Sequence, residues 1–82
     1  MASSNDLYKL VGKNLSKLRK EFAIGTQEQL SNDTDLSASF ISQVEAPNVD
    51  KGISLETIFL ISQHYQIDIR RFFDDYEKLL DK

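Results

Sequence analysis

The chain has no cysteine and no tryptophan, one histidine, one proline and three glycines. Without cysteine there is no disulfide and no thiolate ligand for a metal, and a reducing compartment fits. With His64 as the sole imidazole, Ser-His-Asp, Cys-His and zinc arrangements lack their parts. His64 and Tyr65 end a helical segment, where an imidazole can interact with the helix terminus. Gly12, Gly25 and Gly52 are widely spaced, so no glycine loop cradles a phosphate. Asp74 and Asp75 are adjacent in a helical segment and point in different directions, which is poor geometry for a carboxylate pair. No enzyme is expected, and neither a metal, a cofactor nor a small-molecule ligand. No apolar run approaches the roughly 20 residues that cross a bilayer. The start, Met1 to Asp6, lacks the basic and apolar segments of a secretory signal. A soluble, cytoplasmic protein is expected.

The net charge of -3 leans away from nucleic acid, because phosphate neutralisation supplies much of that affinity. The distribution leans the other way. Residues 1 to 22 hold Lys9, Lys13, Lys17, Arg19 and Lys20 against Asp6 and Glu21. Residues 74 to 82 hold Asp74, Asp75, Glu77 and Asp81 against Lys78 and Lys82. The molecule is polarised, with an acidic C-terminal end that would face away from DNA.

Apolar residues recur at helical spacing throughout, and nothing alternates with period two for long enough to be a strand. Residues 1 to 4 read as a disordered tail and 5 to 82 as one all-α domain of five helices. The first helix starts at Asn5 or Asp6, either of which can cap it. It buries Leu7, Val11, Leu15, Leu18 and Phe22, and Ala23-Ile24-Gly25 closes it, Gly25 having access to positive φ. Lys9, Lys13, Lys17 and Lys20 share another face, which is either plain solvated surface or a face that attracts a DNA backbone. Ala46-Pro47-Asn48 ends the third helix, since proline cannot continue one. Ser54 caps the fourth, with Leu55, Ile58, Phe59, Ile61 and Ser62 inward. Asp68 caps the fifth, with Ile69, Phe72, Phe73, Tyr76, Leu79 and Leu80 as its apolar set.

Residues 26 to 45 are the most informative stretch. Thr26 and Ser37 each place a hydroxyl where it can accept from a free backbone N–H, opening two short helices with a tight polar turn between them. Leu30, Leu36, Phe40, Ile41 and Val44 face inward. Ala38, Ser39, Ser42 and Gln43 face outward and carry no charge, although a solvated helix face usually carries Lys and Glu. Small hydrogen-bonding groups of this kind suit the major groove of DNA.

This stretch and its flanks resemble the helix-turn-helix family of phage repressors, Cro proteins and restriction-modification controller-like transcriptional regulators. The matching pieces are residues 11 to 20, 26 to 31, 40 to 45, 53 to 58 and 65 to 73, in the family's order. The resemblance implies a compact five-helix bundle and a homodimeric transcriptional regulator that binds double-stranded DNA at an inverted-repeat operator. It places base contacts on Ala38, Ser39, Ser42 and Gln43, of which Gln43 can pair bidentately with adenine. Backbone contacts fall on Thr26, Gln27, Phe40, Asn48 and Lys51, with Phe40 equally suited to the core. It implies a structural ion pair between Arg19 and Glu45. Asp35 stands where the family's turn commonly has glycine, and Ser31 where it has alanine. A repressor-like core is complete near Phe73, so Phe73, Tyr76, Leu79 and Leu80 read as a dimer interface, the other reading being that this turn packs on the first helix of its own chain. Two rival functions stand beside the regulator. One is a protein-interaction module that keeps the fold without DNA binding, and the other is the antitoxin of a toxin–antitoxin pair.

Overall fold

The computed structural model describes residues 2–22 and 25–81. Among them the chain is all-helical, without a strand. Helix α1 (Ser4–Glu21) opens with a capping box. The Ser3 hydroxyl accepts from the Asp6 N–H at 3.3 Å, and the Asp6 carboxylate accepts from the Ser3 N–H at 2.9 Å. The cap is therefore Ser3, not Asn5 or Asp6, and Ser4 already belongs to the helix. Val11, Leu15 and Leu18 are buried, as their spacing predicts. Phe22 is not. It lies past the last helical residue, outside the stripe, and stacks beneath the Arg71 guanidinium at 5.4 Å. Gly25 takes φ 99, whereas Ala23 and Ile24 fall outside the described residues.

Helices α2 (Gln27–Thr34) and α3 (Ala38–Glu45) follow, with Thr26 and Ser37 as their caps. Asp35 turns the chain in the left-handed region at φ 61, which aspartate tolerates better than most residues. The Ser31 hydroxyl donates to the Leu36 carbonyl and braces the same turn. Leu30, Ile41 and Val44 enter the core, with Leu36 and Phe40 packed at its edge.

Helix α4 (Leu55–Tyr65) is capped by Ser54, whose hydroxyl accepts from the Thr57 N–H at 3.1 Å. Its buried face runs through Ile58, Ile61 and Ser62. That phase turns Phe59, about 100° round from Ile58, toward solvent, and leaves Leu55 at the face's edge in the first turn. Both were expected inside, yet Leu55 is 66% and Phe59 50% exposed. Tyr65 ties α4 to α2 by donating to Asp33 at 2.9 Å. Burial, reinforced by that carboxylate, pushes its phenol up to about 12, so it stays a donor.

The expected fifth α-helix is instead two 3₁₀ segments, Ile69–Phe73 and Tyr76–Asp81. Asp74 is extended and Asp75 left-handed at φ 69, which no continuous helix accommodates. Asp68 does cap the first segment, accepting from the Arg70 N–H at 2.9 Å. Phe72 is fully buried, and its segment is pinned to α1 by the buried Asn14. The Asn14 amide donates to the carbonyls of Phe72 at 2.8 Å and Asp74 at 3.0 Å. Asn14→Leu strands both carbonyls, so we expect a loss of about 2 kcal/mol in urea unfolding. Amide exchange should accelerate first over residues 69–74. A loss under about 0.5 kcal/mol would show that water replaces the side chain there. No described helix is long and apolar enough to cross a membrane.

Candidate functional site

Helix α3 presents Ala38, Ser39, Ser42 and Gln43 on one exposed surface. The Ser37 hydroxyl accepts from the Phe40 N–H at 3.0 Å, which fixes where the helix begins and so which residues face out. No ionisable group interrupts this face.

The back of α3 is locked in place by a polar cluster. Glu45, its last residue, receives Arg19 Nε on Oε2 at 2.8 Å and Arg19 Nη2 on Oε1 at 2.6 Å. The third arginine contact runs from Nη1 to the Gly25 carbonyl at 2.7 Å. Gln27 completes the set, donating from Nε2 to Glu45 Oε1 at 3.1 Å. The Arg19 and Glu45 side chains are only 11% and 6% exposed. Their hydrogen bonds raise the arginine pKa in spite of burial, which opposes it. One cluster therefore joins α1, the start of α2 and the end of α3. Closer in, Gly12 on α1 lies against the Val44 carbonyl, where a Cβ would stand 2.0 Å from its oxygen.

Around α3 the remaining candidate residues form a rim. The Thr26 hydroxyl accepts from the Gln29 N–H at 3.1 Å, and its own proton stays available. Lys51 Nζ sits 5.5 Å from the Phe40 ring centroid, so Phe40 is both an edge of the core and a seat for a cation. Asn48 is exposed in the loop after α3. Lys9, across from that loop, pairs with Asp50 at 3.4 Å.

The four residues expected at a dimer interface are split. Phe73 packs against the core of its own chain, and Leu79 is buried at 9%. Tyr76 and Leu80 remain exposed, Leu80 at 70%. The α4 residues Leu55, Phe59 and Leu60 add to the exposed apolar surface. Gly12, which seats α3, and Asn14, which pins the C-terminal segment, have no assigned role in the sequence reading. Gly12 carried a signal, since a glycine inside a helical pattern lowers helix stability and marks close backbone approach. Asn14 carried none beyond being polar beside an apolar stripe.

Comparison with known proteins gives this arrangement its class: the chain belongs to a family of control proteins. The relative that shows it is Control protein C.MunI of Mycoplasma sp., 34% identical over 74 residues that span 90% of this chain and 97% of that protein. No family model matches the chain, and no solved structure matches it.

Proposed function

We propose that the protein is a sequence-specific, DNA-binding transcriptional regulator. It acts in the cytoplasm as a homodimer on an inverted-repeat operator, with the chain from Ser3 onward as one helix-turn-helix domain. The observation that carries this reading is the uncharged, exposed face of α3, held from behind by the Arg19–Glu45–Gln27 cluster. A helix that reads base edges must offer hydrogen-bonding or apolar groups to them from a fixed position. In this reading Gln43 pairs with adenine, Ser39 and Ser42 bond to base edges, and the Ala38 methyl meets a thymine methyl. Thr26 offers its hydroxyl proton to a phosphate, Gln27 its second amide proton, Lys51 its ammonium from the Phe40 ring, and Asn48 its amide.

Dimerisation follows from the small size of that face. A single short helix reads few base pairs, and two copies across a two-fold axis double the readout. The exposed apolar residues Leu55, Phe59, Leu60, Tyr76 and Leu80 are the surface we assign to the partner copy. Phe73, packed on the core, lies near Leu55, and the buried Leu79 lies beside Tyr76 and Leu80. A protein-interaction module is the second reading, favoured by the absence of any cation on residues 38–43.

Selection of bound duplexes from a random library, with Gln43→Ala in parallel, tests the proposal. The wild type should enrich an inverted repeat with half-sites about one helical turn apart. Gln43→Ala should lose about 1–3 kcal/mol of discrimination at one base pair per half-site. No enrichment from folded protein would leave the interaction module in its place.

A further inference from the structure

We propose that the lysine face of α1 is a second DNA-contacting surface, binding backbone phosphates that flank the base pairs read by α3. The inference rests on the reading of α3 given above. Lys9, Lys13, Lys17 and Lys20 line one side of a groove whose other wall is Glu45, Ala46 and Pro47, at the end of α3. A strand of DNA leaving α3 at that end meets these lysines next. Their span along α1 is about 16 Å at 1.5 Å per residue, or roughly five base steps at 3.4 Å each.

Three of the four lysines in this groove are not consumed by ion pairs among the described residues. Glu45 is taken by Arg19 and Gln27. Lys9 has Asp50, but among the described residues no carboxylate lies within ion-pair distance of Lys13, Lys17 or Lys20. Like charges at i, i+4 weaken a helix. This chain keeps them side by side although acids outnumber bases overall, 13 to 10. The reading helix itself contributes no cation. The counterion-release part of DNA affinity must come from elsewhere on the molecule, and this face is the densest source available.

The experiment is a fluorescence-anisotropy titration over a range of salt. It compares the wild type, Gln43→Ala and the triple variant Lys13→Gln/Lys17→Gln/Lys20→Gln, each on a selected duplex and on a permuted duplex of equal composition. Circular dichroism confirms that each variant is folded. The triple variant should lower the slope of log affinity against log salt by about 2–3, at roughly 0.9 per phosphate. Its affinity for both duplexes should fall at least about tenfold near 0.1 M salt, with the ratio between them unchanged. A slope within about half a unit of the wild-type slope overturns the inference while leaving α3 intact. A fallen slope in a protein with no preference between the duplexes shows that the lysine face binds phosphate but refutes the α3 reading, and with it the placing of that face beside base pairs read by α3. A wild type that binds neither duplex refutes both.

Discussion

Arg19→Ala should cost about 3–5 kcal/mol of folding stability, because it leaves Glu45 as an unpaired charge in a nearly closed site. A domain of this size has about 5–15 kcal/mol in all, so the variant sits near the edge of unfolding. Three hydrogen bonds from the guanidinium disappear together, two to Glu45 and one to the Gly25 carbonyl. Gln27 alone cannot neutralise the carboxylate that remains. Arg19→Lys keeps the charge but not the planar fork, and should lie between wild type and Arg19→Ala. The double variant Arg19→Met/Glu45→Leu removes both charges and should be more stable than Arg19→Ala. Urea unfolding of the three variants measures this. A loss below about 1 kcal/mol for Arg19→Ala would mean that the pair behaves like an exposed surface bridge. DNA binding should fall at least in step with folding, through loss of the brace behind α3 and not through a lost base contact.

Gly12→Ala should lower stability by about 3 kcal/mol, the upper end of what overpacking usually does. Helix propensity alone points the other way, since alanine inside a helix is about 1 kcal/mol better than glycine. The added Cβ would stand 2.0 Å from the Val44 oxygen and 3.0 Å from its carbonyl carbon. Both are backbone atoms of α3 and cannot swing aside as a side chain would. Helices α1 and α3 must separate, so α3 also loses its seat, and operator affinity should fall beyond the folded fraction. Gly52→Ala is the matched control. Its Cβ would have Tyr8 ring atoms as nearest neighbours at 3.4 Å, an ordinary contact, so a change within about 0.5 kcal/mol is expected. A neutral or stabilised Gly12→Ala in thermal and urea melts would show that α1 and α3 do not approach this closely.

The parts of the fold legible in the sequence are those decided locally. Thr26, Ser37, Ser54 and Asp68 cap because a short side-chain oxygen sits just ahead of a free N–H, and sequence shows that directly. Val11, Leu15 and Leu18 follow from period alone. Helix α4 defeats the same method because apolar residues surround it: Leu55 and Phe59 read as inward beside Ile58 and Ile61, and only packing selects which are buried. The C-terminal segment reads as one helix in sequence because Tyr76, Leu79 and Leu80 prolong the apolar spacing, while the left-handed turn at Asp75 has no glycine to announce it. At the site, the outward positions of α3 follow once Ser37 fixes its phase. The hydrogen bond from Gln27 to Glu45 and those from Asn14 to Phe72 and Asp74 join residues far apart in the chain, and no local rule reports them.

The measurement closest to the central claim is the ratio of affinities for the selected inverted repeat and its permuted counterpart, at one physiological salt concentration. For a base-reading α3 the repeat should bind at least about 10³-fold more tightly. Gln43→Ala should cut that ratio while leaving binding to the permuted duplex unchanged. Equal affinities for the two duplexes, from folded wild-type protein, would contradict the account and leave α3 as a surface for some other partner.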